Sequence, residues 1–435
     1  MMDFSQNIFL NKKILIYGLG KSGISSFKFL KKTNKVYCYD DFDKNIKDKE
    51  IKKKIISHEE TLKTKFDRII LSPGININKC KLSRFLKKNQ KKIYSDLDIF
   101  YSSFRNDTIT ITGTNGKSTT CKLLLEVFKK QNYDARLVGN IGYPILSSKN
   151  IKNDTLFIIE ASSYQLEYSK IFRSSNVVIL NLAVDHLERH KTLNNYVKAK
   201  FKLLKKQNKN HYSFLKKEDL LIKKHLKLNK YKSNIIKVDT IKMHNIEKKI
   251  QNNFFLSDNN KENLKFVLEI AKKFNLKKKK LIQSIQSFKG LKYRQEIIFK
   301  SKKLIIINDS KSTSFSSTIN LLKNNTFIHW LVGGIPKKGD KFNLSKKYHK
   351  NLKAYIFGKD KKFFLMKFKN KIQTECFDDL QSTVKKIFQV LKISKNENQI
   401  VLFSPSAASF DSFRNFEERG LYFNKYIKKY LNEIK

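Results

Sequence analysis

The sequence predicts an α/β protein of several domains built on mostly parallel sheets. Three observations lead there. At 435 residues the chain is longer than one hydrophobic core organises, since single cores stop growing near ~250–300 residues. Short apolar runs recur along it, each ending in a polar turn and followed by a helix-length stretch, which is the pattern of strand, crossover helix and parallel strand. Glycine is scarce, yet ten of its 14 positions fall in four clusters, Gly18/Gly20/Gly23, Gly113/Gly116, Gly139/Gly142 and Gly333/Gly334/Gly339. Tight turns are expected at each. Pro73, Pro144, Pro336 and Pro405 punctuate strand ends in the same way.

In chain order, Lys12 to Tyr17 reads as an apolar strand, Gly18-Leu19-Gly20-Lys21-Ser22-Gly23 as a turn, Ile24 to Leu30 as a helix, and Val36 to Tyr39 as a second strand ending in Asp40-Asp41. This is a Rossmann-like start, with Asp40 near the position of an acid that bonds ribose hydroxyls. The same unit can equally hold a uridine nucleotide, or nothing. The next strand, Arg68 to Leu71, ends in Ser72-Pro73-Gly74-Ile75, a turn at the carboxyl edge where open sheets bind ligands.

The segment Ile109 to Thr120 turns a strand through Gly113-Thr114-Asn115-Gly116-Lys117-Ser118-Thr119 into a helix. It reads as a shortened phosphate-binding loop. Gly113 and Gly116 let backbone N–H groups close on phosphate oxygens, Lys117 meets the β/γ-phosphates, and Ser118 can face Mg²⁺. ATP binding follows from this loop. Strand Thr155 to Ile159 then ends at Glu160, a carboxylate placed for Mg²⁺. Strand Asn176 to Leu182 leads to Asp185-His186-Leu187-Glu188-Arg189-His190, the densest polar cluster, where His186 is a candidate ligand. Tyr196 to Leu204 is a helix bearing Lys198 and Lys200, Lys205 to Lys249 reads as surface helices and hairpins, and Asn263 to Phe274 is helical.

A turn at Lys289 to Arg294 closes this region. Strands Lys303 to Asn308, Phe327 to Val332, Ala354 to Phe357 and Ile400 to Phe403, separated by helical stretches, are expected to form a further parallel sheet.

Composition bounds the function classes. The net charge is +53, with 91 Lys and Arg against 38 Asp and Glu. The lysines are dispersed through every region among Asn, Ile, Phe and Tyr, the residues of AT-rich codons, so the excess reads as codon bias and no nucleic-acid partner is expected. A positive field still speeds encounters with anionic substrates. Cys38, Cys80, Cys121 and Cys376 show neither metal-ligand spacing nor a disulfide framework, which fits a reducing cytoplasm. No stretch is long and apolar enough to span a bilayer, and the N-terminus lacks a basic region leading into an apolar run, so a soluble, uncleaved protein without membrane insertion is expected.

With these motifs assembled, the chain resembles the Mur ligases over nearly its whole length. The resemblance rests on the Gly18 to Gly23 turn, Ser72 to Ile75, Gly113 to Thr119, Gly139-Asn140-Ile141-Gly142, Glu160-Ala161-Ser162-Ser163-Tyr164-Gln165-Leu166, Asp185-His186, Asn308-Asp309-Ser310-Lys311 and Ser404-Pro405 through Gly420. It implies three domains: Rossmann-like over 1–102, a P-loop ATPase with a mostly parallel sheet over 103–297, and Rossmann-like over 298–435. It also implies ATP- and Mg²⁺-dependent amide formation through an acyl phosphate. The segment from Ala408 to Gly420 most favours those members that join D-glutamate to UDP-N-acetylmuramoyl-L-alanine in peptidoglycan synthesis. A monomer is expected.

The resemblance also assigns residues. Lys117, Glu160, His186 and Lys200 would be catalytic, with Ser118 and Glu160 on one Mg²⁺ and His186 and a carbamylated Lys200 on a second. A carbamate inverts the sign of the lysine's charge, and Lys198 competes for this role. The nucleotide would meet Gly113 to Thr119 together with Asn263, Arg294 and Asp309. The UDP-substrate would meet Lys21, Ser22, Asp40, Ser72, Gly74, Asn140, Ser162 and Gln165, although Ser22, Ser72 and Asn140 could equally cap helices or turns. D-Glutamate would meet Lys311, Thr313, Lys337, Ser409 and Phe416, with Lys338 as the alternative to Lys337. Asn259, Tyr293 and Phe410 depart from the residues usual in the family, which bears on nucleotide-edge packing and D-glutamate affinity.

Other readings stay open. Another Mur-type ligase could use a different amino acid. A basic nucleic-acid-binding P-loop ATPase would explain the charge, and a nicotinamide enzyme would explain the first glycine turn but leave the phosphate loop without a purpose.

Overall fold

The computed structural model describes residues 7–42, 46–242, 245–337, 339–393 and 398–432. Lys338 and residues 1–6 lie outside the described residues. The chain divides into two compact units, residues 1–252 with 260–288 and residues 253–259 with 289–435.

The first unit holds two sheets. Strands β1 (Lys13–Tyr17), β2 (Lys35–Tyr39), β3 (Arg68–Leu71) and β4 (Ile93–Tyr94) pair in the order β2-β1-β3-β4, all parallel. The chain leaves β1 toward one side and returns on the other, so the ends of β1 and β3 form the crevice in which doubly wound sheets bind ligands. Strands β5 (Thr108–Thr112), β6 (Ala135–Gly139), β7 (Leu156–Glu160), β8 (Asn176–Ile179), β9 (Tyr212–Lys216) and β10 (Asn234–Val238) pair in the order β10-β9-β8-β5-β7-β6, again all parallel. Every residue of β5, β7 and β8 is buried, as expected for strands covered on both faces.

The lysine-rich stretch from 205 to 249 departs from the expected surface hairpins. Its two strands, β9 and β10, run parallel and are joined by the helix Leu220–Leu228. The alternation in Tyr-Ser-Phe-Leu-Lys and Asn-Ile-Ile-Lys-Val is short, and flanking lysines mask it, yet Phe214, Leu215 and Val238 are buried.

The second unit holds one sheet of β11 (Glu296–Lys300), β12 (Leu304–Asn308), β13 (Phe327–Gly333), β14 (Leu352–Phe357), β15 (Gln373–Phe377) and β16 (Gln399–Phe403), in the order β11-β12-β16-β13-β14-β15. The expected four strands are present, but the sheet is mixed. β11 runs antiparallel to β12, with Glu296 opposite Asn308, through a turn closed by Ser301 N–H on the Leu304 carbonyl. A three-residue connection is too short for a crossover, so it can only make a hairpin. The core of this unit gathers Trp330, Phe315, Phe342, Phe364 and Phe368 on one face and Phe403, Phe423, Ile427 and Phe388 on the other. No helix among the described residues is long and apolar enough to cross a membrane.

Candidate active site

In the first sheet, the crevice is built by hydrogen bonds between strand-end loops. Gly18 has φ +94°, and a Cβ there would lie 2.8 Å from Ser72 Cβ. Only glycine lets the two loops approach this closely. Ser72 Oγ donates to the Gly18 carbonyl at 2.5 Å, and Asp40 accepts from the Leu19 N–H at 2.5 Å and the Phe42 N–H at 2.8 Å. Lys21 opens the helix Lys21–Leu30 and is exposed; Gly74 is exposed and has open space where a Cβ would stand.

Ser22 Oγ donates to Asp96 Oδ2 at 2.6 Å, and Gln165 Nε2 lies 3.4 Å from both oxygens of Asp96. Asp96 thus joins two residues expected to meet the UDP-substrate, one in the helix after β1 and one in the helix after β7. Its carboxyl is buried and therefore pushed above the usual carboxylate range, with the bonds from Ser22 and Gln165 opposing. Sequence reading missed Asp96, because in Ser95-Asp96-Leu97-Asp98 an acid in a helix's first turn is ordinary. Ser162 does cap a helix, Ser163–Tyr168, in a capping box with Gln165; Ser22 lies inside the helix Lys21–Leu30, and the Ser72 carbonyl closes a turn by accepting from Ile75 N–H at 3.0 Å.

At the end of β5, the loop Gly113 to Gly116 leads into the helix Lys117–Lys130. The neighbouring strand β8 shapes it. The Asn181 carbonyl accepts from Thr114 N–H and its Oδ1 from Asn115 N–H, both at 2.8 Å, while Thr114 Oγ1 accepts from Ala183 N–H at 2.9 Å and meets Tyr196 Oη at 3.0 Å. Gly116 has φ +84°, and a Cβ on it would overlap Asn263 Oδ1, so Asn263 packs on the loop. Ser118 and Thr119 are buried at the start of the helix. Asn181 is a second residue missed, since nothing in Leu180-Asn181-Leu182 marks it.

Lys117 Nζ donates to the carbonyls of Gly113 at 2.9 Å and Thr114 at 2.8 Å. Lys200, in the helix Leu193–Lys205, is fully buried and donates to Gly113 at 2.9 Å and Thr112 Oγ1 at 3.2 Å. Burial, then the charge of Lys117, drives its amine well below the usual lysine range, with Asp185 and Glu160 opposing. Lys198, its rival, is exposed.

Glu160 closes β7 and is 1% exposed. Asn140 Nδ2 donates to its Oε1 at 2.8 Å, and its Oε2 has no hydrogen-bond partner. A buried carboxylate oxygen without a donor is costly unless a cation meets it. Glu160 therefore fits a divalent metal. His186, with φ +54°, sets Nδ1 2.7 Å from Tyr164 Oη and Nε2 3.3 Å from Asp185 Oδ2. His190 is buried against Ser163 and held down to about 4, first by desolvation. No group of three or more His, Cys, Asp or Glu side chains fit to hold a metal occurs among the described residues.

In the second unit, Asp309 follows β12 and is buried. It accepts from Ser404 Oγ at 2.7 Å and Gln295 N–H at 3.1 Å, and burial raises its carboxyl to about 7 against the opposing charges of Arg294 and Arg419. Arg294 and Asp309 are thus brought together. Lys311 Nζ stands 3.8 Å from the centre of the Phe416 ring, a cation–π pair of two expected D-glutamate residues. The Ile335–Ala408 bridge aligns the half-buried Lys337 segment with that of buried Ser409. Thr313 is half-buried in the loop after Lys311. Of the departures, Asn259 accepts from Asn320 at 2.8 Å, Tyr293 has φ +62° and fills the space beside Gly420, and Phe410 is exposed. Arg419, also missed, is fully buried and donates to the carbonyls of Ser310 at 2.8 Å and Ala407 at 3.0 Å.

These loops have counterparts in known proteins. Residues 12–93 match the Mur ligase MurD-like N-terminal domain, and residues 111–278 match the Mur ligase middle domain. The UDP-N-acetylmuramoylalanine--D-glutamate ligase of Rickettsia felis is 31% identical across 98% of this chain and 99% of its own length. The chain belongs to the Mur ligase family. A second Mur ligase, the Francisella philomiragia enzyme of the same name, is 34% identical across 83% of this chain and 86% of its own. Among solved Mur ligases, MurF from Thermotoga maritima in complex with ADP has a TM-score of 0.57 at 14% identity, covering 99% of this chain and all of the other. MurC from the same organism has 0.56 at 17%, covering 97% of this chain and all of the other. At such identities the likeness shows the fold alone, α/β throughout. This Mur ligase is an ATP-dependent ligase.

Proposed function

We propose that this Mur ligase joins D-glutamate to UDP-N-acetylmuramoyl-L-alanine in the cytoplasm, with ATP becoming ADP and phosphate. The observation that carries this is the phosphate loop with two lysines on one carbonyl and Glu160 beside it, in a chain aligned end to end with D-glutamate ligases. The domains run 1–102, 103–297 and 298–435, for UDP-substrate, ATP and amino acid in that order.

The substrate carboxylate takes the γ-phosphoryl group to give an acyl phosphate, and the amine of D-glutamate displaces phosphate from it. The protein's task is to position the reactants and offset negative charge. Gly113 to Thr119 hold the phosphates, with Lys117 turning from the loop carbonyls to the β/γ oxygens. Asn263, Arg294 and Asp309 are assigned to the nucleotide as well. Glu160 and Ser118 would hold one Mg²⁺, and His186 with Lys200 as carbamate would hold a second. Mg²⁺ bound there neutralises charge on the transferring group. The low affinity of buried Lys200 for its proton leaves the neutral amine that carbamylation requires.

Lys21, Ser22, Asp40, Ser72 and Gly74 receive the uridine nucleotide, and Asn140, Ser162 and Gln165 the muramoyl-alanine portion. Lys311, Thr313, Lys337, Ser409 and Phe416 receive D-glutamate, its carboxylates paired with the two lysines. The test is phosphate release from ATP with Mg²⁺. Release that requires both UDP-N-acetylmuramoyl-L-alanine and D-glutamate is expected; release with another amino acid would move the substrate, and release driven by nucleic acid would overturn the reading.

A further inference from the structure

Thr318 lies in the helix Phe315–Leu322 and is fully buried. Its hydroxyl oxygen is 2.6 Å from Ser312 Oγ and 2.7 Å from both Ser404 Oγ and Ser406 Oγ. A hydroxyl offers one proton and two lone pairs, so three partners saturate it. With Asp309 ionised, the carboxylate at the end of the network fixes the direction of each bond. Ser404 gives its proton to Asp309 Oδ2 at 2.7 Å and can only accept from Thr318. The lone pairs of Thr318 are then left for Ser312 and Ser406. A directed relay results, Ser312 to Thr318 to Ser404 to Asp309, with Ser406 joining at Thr318.

All five residues are buried, and Ser406 holds φ +56°, an uncommon conformation for a residue other than glycine. Apolar side chains of the same shapes would fill this interior at little cost in stability, so packing does not explain four hydroxyls. What they join does. Ser312 lies between Lys311 and Thr313, and Ser406 lies in the segment running to Ser409.

We propose that Thr318 is a positioning residue for the incoming amino acid, its hydroxyl locking the Lys311–Thr313 loop and the approach to Ser409 into one geometry anchored on Asp309. This rests on the assignment of those residues to D-glutamate. Thr318 touches no substrate; it acts through the loops it ties.

The test compares the full-length wild type with Thr318→Val, which keeps the shape and removes the hydroxyl, and Thr318→Ser, which keeps the hydroxyl. Phosphate release is measured against D-glutamate and, separately, against UDP-N-acetylmuramoyl-L-alanine, the other substrates saturating. Thr318→Val is expected to raise the KM for D-glutamate about tenfold, the order of one lost hydrogen bond, with the KM for the UDP-substrate changed less than about twofold. Thr318→Ser is expected to restore the wild-type value. An unchanged KM for D-glutamate, a parallel rise in both constants, or a Thr318→Ser variant as weak as Thr318→Val overturns the proposal. If Thr318→Val fails to melt cooperatively, Ser404→Ala cuts the relay beside Asp309, and the same split in KM is required of it. Wild type that releases phosphate only with another amino acid would displace the D-glutamate reading, and the comparison is then made with that amino acid.

Discussion

Lys117 and Lys200 donate to the same acceptor, the Gly113 carbonyl, each at 2.9 Å. Two cations on one oxygen repel, and the buried one yields: the Lys200 amine is pushed down, by burial first and by Lys117 next. Lys117, on the helix that opens the phosphate loop, is the one proposed to exchange these carbonyls for phosphate oxygens. Lys117→Ala is expected to lower product formation at least about 10²–10³-fold, the scale of a lost charge-stabilising donor, with the melting temperature near wild type. Substantial turnover in the variant would remove Lys117 from its role.

Glu160 predicts a different signature. Its Oε2 is buried and unpartnered, so the carboxylate is a cost to the protein alone and a gain when a cation binds. Addition of Mg²⁺ with a nucleotide should raise the melting temperature of the wild type and not of Glu160→Gln, while turnover of the variant falls more than about 100-fold. Equal thermal shifts in both proteins would exclude Glu160 as a ligand.

The pH dependence of stability tests Asp309. Its carboxyl is raised to about 7 in the folded chain, against about 3.9 unfolded. Between these values the folded state binds more protons, so the contribution of Asp309 to stability falls as pH rises, and its full cost is present above about pH 7. Asp309→Asn should therefore gain on the wild type as pH rises from 5 to 8, by roughly 3 kcal/mol, the ~2 units between pH 5 and about 7 at ~1.4 kcal/mol each. Melting curves at each pH check this, and a gap that shrinks with pH contradicts it.

Asp96 is expected to matter to the UDP-substrate without meeting it. Asp96→Ala leaves Ser22 and Gln165 without their shared acceptor, at about 1–3 kcal/mol of stability. The KM for UDP-N-acetylmuramoyl-L-alanine should rise while that for ATP holds, which steady-state kinetics on the purified variant resolves.

Much of the fold could be read in advance because the catalytic face of a parallel sheet is written at strand ends. Residues 69–71 of β3 and 330–332 of β13 are apolar runs, and each stops at a turn signal. β9 and β10 escaped because lysines flank them, and polarity at both ends hides a short buried run; β11 escaped because it is an edge strand with no fully buried residue. Within the site, the residues that sequence reading supplied are those whose chemistry is local, such as Gly116 and Lys117. Asp96, Asn181, Arg419 and Thr318 reach partners across separations of 66 to 109 positions. No window along the chain contains both halves of such a contact. The nearest signals were the adjacency of Ser95-Asp96 and the repeated serines of 310–317.

The antiparallel course of β11 has one more consequence. Because Glu296 faces Asn308, the polypeptide enters this sheet at the edge where its parallel neighbours finish, and Arg294 and Gln295 arrive beside Asp309 merely by being the last residues before the strand. A parallel first strand of the same length would have delivered them to the far edge, about 16 Å away at ~3.3 Å per residue. The entry peptide is therefore also a neighbour of Asp309. Insertions at residues 289–295 should disturb function where insertions of equal length at the turn 301–303 do not, which makes the hairpin end, and not the entry, the place where this domain has room to vary.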